Sequence, residues 1–318
     1  MADRKGGTSG GGGTWVIVNE NAGTVRTMGK EAARQAIERG FEQAGQAVRI
    51  DFLEGGAIEA RIGEAVNSRA TDTIIVGGGD GTVSSAGRKL AGTGKVLGVI
   101  PLGTMNLFAK ALGMPNGLDE AVKALTTARP KPIDAGRING RVFLHHVSLG
   151  LHPRMARIRE RFGYGSRLGK IVNSVRALVI TIWRPPKLRL DAAIDTRRQR
   201  VRSPAVVVSN NLFGQGHLPY PDKLDDGVLG IYVLNTFRKR DIFRLASGLL
   251  TADWEASPYV DVQTGQKLDI ASLTSGWTHR RKILASIDGE LEYVTAPLHI
   301  EIWPKALVVL TARDKPTY

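Results

Sequence analysis

Apolar positions in the first third of the chain recur alternately at strand and at helix spacing. Residues 14–19 (TWVIVN) and 47–53 (AVRIDFL) read as strands, 73–76 (TIIV) as a short strand apolar throughout, and 96–100 as a fourth. Between them, 31–44 places Ala33, Ile37, Phe41 and Ala44 at helical spacing, and 57–70 does the same with Ile58, Ile62, Ala65 and Val66. Residues 83–90 and 105–112 continue the series as helices. Strand–helix alternation predicts a parallel sheet with helices on both faces, and a wholly apolar strand suits its interior. Past Pro130 and Pro132 the period changes. Residues 141–151, 188–194, 205–208, 228–234 and 283–287 read as strands, with Leu188, Leu190 and Ala192 on one face and Leu298, Ile300 and Ile302 on another. Only 167–182 and 241–250 read as helices there, which predicts an antiparallel, sandwich-like part. The expected organisation is a disordered tail at 1–13, an α/β domain at 14–131 with 304–318 as a candidate completion, and a β-sandwich domain at 132–303.

The clearest chemical feature is Gly77-Gly78-Gly79-Asp80-Gly81-Thr82, set between the strand TIIV and a helix. Glycines let the backbone turn tightly and approach a ligand, and the following helix offers free N–H groups and the positive end of its dipole to a phosphate. Asp80 is unhelpful for plain anion binding; it makes sense beside a metal ion or a reacting hydroxyl. The plain alternative is a glycine-rich turn with no ligand. A second strand-to-helix loop, Pro101-Leu102-Gly103-Thr104-Met105-Asn106, repeats the arrangement, and Thr104 and Asn106 stand where they either cap a helix or meet a ligand. Asn19-Glu20-Asn21 closes the first strand at the same edge. Other phosphate loops are excluded: GxxxxGK[ST] is absent, the glycine run does not fit GxGxxG, and the protein-kinase motifs HRD and DFG do not occur.

Composition narrows the classes further. A chain of 318 residues, 42% hydrophobic, is long enough for two cores. The lack of cysteine excludes disulfides, a thiol nucleophile and a thiolate metal site, and fits a reducing compartment. No segment approaches the roughly 20 continuous apolar residues of a spanning helix; the best run, 175–183, is broken by Arg176 and closed by Arg184-Pro185-Pro186. The glycine-rich start lacks the apolar stretch of a secretory signal. A net charge of +14 attracts polyanions, whether nucleic acid, anionic lipid or nucleotide phosphates. Aromatic content of 6% without aromatic–basic alternation argues against nucleic acid.

GGGDGT, PLGTMN and the late Asp288-Gly289-Glu290 together resemble the diacylglycerol kinase catalytic family of lipid kinases. The resemblance runs from about Trp15 to near the carboxyl terminus and takes in Gly214-Gln215-Gly216 and the stretch ending Asp225-Asp226-Gly227. It implies an ATP- and magnesium-dependent kinase acting on a membrane-lipid hydroxyl (diacylglycerol, ceramide, a sphingoid base or another glycerolipid), with the active site in the cleft between the two domains. By the same resemblance Asn19, Gly78, Gly79, Gly81, Thr82 and Thr104 contact ATP, with Asn106 in the same loop. Asp80 ties to magnesium or the acceptor hydroxyl, Asp288 is the general base, Glu290 is a metal or network partner, and Asp226 belongs to a structural-metal loop. The chain departs from the family at Glu20 (usually Pro), Ser84-Ser85 (usually Asn-Glu) and Leu107 (often Asp), so two acidic positions are lost near the phosphates. Either metal ligation is rearranged onto Asp80, Asp288 and Glu290, or catalysis is weak. A soluble-substrate kinase of the NAD kinase type and a non-catalytic nucleotide- or lipid-binding protein are the competing readings.

Arg154, Arg157 and Arg161 open a basic stretch reaching Arg189, interleaved with Met155, Ile158, Phe162, Val175, Leu178 and Ile182. Such a pattern suits either docking on an anionic membrane surface or a packed helix with a solvated basic face. The expected setting is cytoplasmic, peripheral on the inner face of the cell membrane, with a membrane lipid as partner, no nucleic acid, and a homodimer as one option.

Overall fold

The computed structural model describes residues 12–162, 167–214, 220–251, 257–275 and 282–312. Most of the expected tail, Gln215 and Gly216 of the glycine motif, and 313–318 lie outside these residues. Contacts divide the chain into two compact units, Met1–Lys131 with Leu307–Tyr318, and Pro132–Ala306.

The first unit runs β1 (Gly13–Asn19), α1 (Gly23–Met28), α2 (Lys30–Gln43), β2 (Val48–Leu53), α3 (Gly55–Asn67), β3 (Thr71–Gly78), α4 (Asp80–Leu90), β4 (Val96–Pro101), α5 (Leu107–Ala111) and α6 (Leu118–Thr127). The chain continues through β5 (Arg129–Ile138), β6 (Arg141–Phe143), β7 (His146–Gly150), α7 (Leu151–Arg161), α8 (Arg167–Trp183), β8 (Leu188–Ile194), β9 (Arg197–Ser203) and β10 (Ala205–Asn210). It ends with β11 (Leu229–Leu234), α9 (Lys239–Thr251), β12 (Val260–Gly265), β13 (Lys267–Ser275), β14 (Lys282–Ile287), β15 (Glu290–Thr295) and β16 (Leu298–Thr311).

In the first unit the strand order is β2-β1-β3-β4, continued by the last residues of β16, and each neighbouring pair is parallel. Val16, Ile17, Val18, Ile74, Ile75 and Val76 are all buried, as strands covered on both faces require. α2 packs with α6 and α3 with α4. Winding reverses between β1 and β3, so the carboxyl ends of those strands form the switch point where such sheets bind ligands. Gly13, assigned to the tail on sequence, is the first residue of β1, its N–H donating to Ala70 O. Helices α1 and α6 were not anticipated, although Leu118, Ala121, Val122 and Leu125 give α6 a regular buried face.

The second unit is a sandwich of two antiparallel sheets. One runs β16-β13-β8-β9, with β5 beside β16 and β6 beside β5; the other runs β12-β11-β10-β7-β14-β15. Alternate residues of both sheets, among them Leu188, Leu190, Ile270, Ile300, Val147, Leu149, Val208 and Ile287, form one buried cluster. The expected strand 141–151 is two strands in different sheets, β6 and β7, and its end is the start of α7. The break falls at Leu144 and His145, whose N–H groups, with that of His146, point to the Asp288 carboxylate instead of a neighbouring strand.

Candidate active site

In the first unit three strand ends converge. β1 finishes at Asn19, β3 at Gly78 and β4 at Pro101, with Gly78 opposite Pro101 in register. Asn19 turns its side chain inward: Oδ1 accepts the Asn21 N–H at 2.9 Å, and Nδ2 donates to Thr82 Oγ1 at 3.4 Å. α4 starts at Asp80 after Gly79, and no side chain caps it, so its first-turn N–H groups are open to an anion. Leu102 N–H donates to Gly78 O, which lays the second loop along the first. Asn106 clasps that loop, its Oδ1 accepting from Gly103 N–H and its Nδ2 donating to Gly103 O, both at 2.9 Å. It adopts the left-handed conformation (φ 50°) and so delays the helix expected from 105 to Leu107. Asn106 therefore shapes the loop, while Thr104 is exposed. The Asp80 carboxylate accepts from the Phe108 N–H at 3.4 Å, a long bond that leaves it available.

The two loops touch through glycines. A Cβ on Gly103 would lie 2.5 Å from the Gly79 Cα. Gly103→Ala is accordingly expected to destabilise the protein by about 1–3 kcal/mol, read as a lower urea midpoint at unchanged slope. An unaltered midpoint would mean that the loops separate freely.

Of the family's lost acids, position 85 is a buried Ser whose Oγ donates to Glu59 Oε1 at 2.7 Å, a hydrogen bond that lowers the Glu59 pKa. A carboxylate from α3 thus stands against α4 at that position.

In the second unit Asp288 and Gly289 form a two-residue hairpin turn between β14 and β15, both with positive φ. The Asp288 side chain is nonetheless buried and anchored: Oδ2 accepts from Leu144 N–H (2.8 Å) and Oδ1 from His145 and His146 N–H (2.8 and 3.2 Å). Its own N–H donates to His146 O. Val147 and Leu149 face the sandwich core, so His146, Ser148 and Gly150 line the opposite face of β7, with Ser286 of β14 opposite Ser148. Ser148 Oγ and His152 Nδ1 are 2.8 Å apart. His146 Nδ1 and Ser286 Oγ are buried without a hydrogen-bond partner among the described residues.

Burial, with lesser contributions from His145 and His152, holds the His146 imidazole well below its usual range; burial and Arg159 lower His152. A folded pKa below the unfolded value contributes stability that is whole above the unfolded pKa of about 6.5 and is lost as pH falls towards the folded one. The urea midpoint is expected to drop between about pH 7 and pH 5, and His146→Gln to make that drop shallower. Equal slopes would remove His146 from the account.

Glu290 and Asp226 are placed differently from Asp288. Glu290 is half exposed and pairs with the Arg141 guanidinium, which also holds Glu292. Asp226 is exposed, its N–H donating to Asn211 Oδ1. No group of three or more acidic or imidazole side chains is placed to hold a metal among the described residues. A carboxylate the sequence reading passed over, Asp134, is buried and accepts N–H groups from Gly227 (2.8 Å) and Lys305 (2.9 Å). Its only local signal is an acid set between Ile133 and Ala135.

Arg154, Arg157 and Arg161 line a cavity of about 640 Å³ within this unit. Lys282 adds a fourth cation, and Ile158, Phe162 and Leu284 supply apolar wall. Gly150 and Leu284, at its edge, continue the face that carries His146, Ser148 and Ser286.

Two domain families match the chain: the diacylglycerol kinase catalytic domain over residues 13–138, and the YegS C-terminal NAD kinase beta sandwich-like domain over 146–311. A Pseudomonas aeruginosa protein named "Probable lipid kinase YegS-like" is 30% identical over 220 residues, 66% of this chain and 70% of its own. Bacillus subtilis diacylglycerol kinase is 26% identical over 244 residues, 75% of this chain and 78% of its own. A crystal structure of a diacylglycerol kinase from Bacillus anthracis shares the fold, with a TM-score of 0.66 over 94% of this chain and 96% of that one at 19% identity. The chain belongs to the diacylglycerol kinase catalytic-domain family, with a YegS-type sandwich as its second part.

Proposed function

We propose that the protein is an ATP-dependent lipid kinase that phosphorylates a hydroxyl of a membrane lipid. The observation that carries this reading is the meeting of the two glycine loops beside the uncapped start of α4, a phosphate cradle with a carboxylate in its first turn. Phosphoryl transfer needs held phosphates, a divalent cation to spread charge, and a group for the acceptor proton. Asn19, Gly78, Gly79, Gly81, Thr82 and Thr104 are assigned to the nucleotide. Magnesium fits Asp80, because that ion is commonly held by one or two carboxylates plus nucleotide phosphates rather than by an all-protein cage. When bound it would neutralise charge on the transferring group.

Asp288 is assigned to the acceptor hydroxyl. Three backbone N–H donors hold its buried carboxylate in a fixed orientation. In a loose transition state, orienting the hydroxyl matters more than base strength. The unpartnered Nδ1 of His146 and Oγ of Ser286 offer further hydrogen bonds to a polar lipid head. The neighbouring cavity, apolar with a cationic wall, suits the rest of an amphiphile. Diacylglycerol, ceramide and sphingoid bases all fit this class, and a bilayer acceptor with cytosolic ATP implies peripheral attachment at the inner leaflet.

The test is incubation with labelled ATP, magnesium and mixed micelles of diacylglycerol, ceramide, sphingosine or phosphatidylglycerol. One labelled lipid would establish the reaction and name the acceptor. Label in none of them, from protein that still binds ATP, would leave a nucleotide-binding role instead.

A further inference from the structure

Among the described residues of the second unit, exposed large apolar side chains gather on α8 and at the start of α9. On α8, Val172 (61% exposed), Val175 (56%), Val179 and Trp183 (66%) fall within an arc of about 80° at 3.6 residues per turn. Ala177 and Thr181, on the opposite side of the helix, are buried, and Ile182, at the border of the arc, is buried with Ile242 of α9. α9 adds Phe243 (59% exposed), and Phe237 precedes it. Lys239 Nζ lies 4.0 Å over the Trp183 ring, so the exposed sides of the two helices adjoin.

Exposed charge along these two helical segments has one sign. Arg176, Arg184, Lys187, Arg238, Lys239, Arg240 and Arg244 are all exposed. The one acid in the segments 172–187 and 237–247, Asp241, is buried and accepts from the Thr236 hydroxyl. A second copy meeting this face symmetrically would set like charges against each other. An amphipathic helix with an interfacial Trp and a cationic border matches an anionic bilayer surface instead.

We propose that α8 and the start of α9 form the docking face for an anionic lipid bilayer, with Val172, Val175, Val179, Trp183 and Phe243 entering the interface and the surrounding arginines and lysines meeting lipid phosphates. This deepens the lipid-kinase reading and rests on it only for the identity of the acceptor. Arg154 and Arg157, half-buried at the cavity, take no part in the face.

The full chain is sedimented with phosphatidylcholine vesicles with and without phosphatidylglycerol, as wild type, Val175→Asp/Val179→Asp, and Arg238→Glu/Arg244→Glu. All four positions are exposed, so folding is expected to survive. Wild type should bind the anionic vesicles, with a blue shift in emission that Trp183→Phe removes. Each double variant should lose binding at least about tenfold, yet keep its turnover of a short-chain acceptor dispersed as monomer. Equal vesicle binding by the variants, or none by wild type, would overturn the assignment. So would a lipid-free dimer that Val175→Asp/Val179→Asp converts to monomer. Vesicle binding that follows this pattern in a protein labelling no lipid would sink the kinase reading and leave the docking face standing.

Discussion

Asp80→Asn is expected to lower kcat for lipid phosphorylation on the order of a thousandfold while changing the dissociation constant for ATP less than about threefold. The reasoning is local. Asp80 opens α4, where the free N–H groups and the helix dipole favour the negative charge of bound phosphates. An aspartate there works against simple anion binding, so its assigned task is at the reacting centre, holding the cation or the acceptor hydroxyl. Asparagine keeps the shape and the acceptor for the long Phe108 N–H bond, removing only the charge. ATP affinity measured by calorimetry with and without magnesium, beside steady-state rates, separates the cases. A variant that keeps its rate would move Asp80 out of the chemistry; one that loses ATP binding in step with rate would make it part of the nucleotide cradle alone.

Much of this unit was legible in the sequence because its determinants are local. Ile74, Ile75 and Val76 are apolar because that part of β3 is buried on both faces, and Gly77 and Gly78, the last residues of the strand, begin the glycine run. The break at Leu144 and His145 was not legible, because it is made by a carboxylate 143 positions beyond His145. Asp288-Gly289 forms a hairpin turn, and nothing local in the sequence shows that the aspartate side chain turns inward. The basic stretch from Arg154 to Arg189 reads equally as a solvated helix face or a membrane-docking surface; only the packing of α7 against β7 and β14 puts Arg154, Arg157 and Arg161 around a cavity. In α8 apolar residues occupy both sides, and which side stays exposed is decided by the packing of α7 and α9.

Asp288→Asn is expected to damage stability and catalysis together. Replacing one carboxylate oxygen by an amide nitrogen turns an acceptor into a donor facing either the N–H of Leu144 or those of His145 and His146. Buried N–H donors left without a partner cost about 1–3 kcal/mol each. A loss of about 2–4 kcal/mol in unfolding free energy follows, with faster amide exchange at residues 144–146. Backbone strain does not confuse the result, because asparagine tolerates the positive φ of 49° at this turn. The catalytic part is read separately, at low temperature and on protein shown to be folded. There the carboxylate's charge and basicity are gone, and the rate of lipid phosphorylation should fall at least a hundredfold. If the folded variant kept its rate while losing stability, Asp288 would be an anchor for the β6–β7 junction and nothing more. If both fell, one side chain would be both the tie that splits the strand and the group that meets the acceptor. The two parts are physically linked, since the N–H bonds that break the strand also hold the carboxylate beside His146.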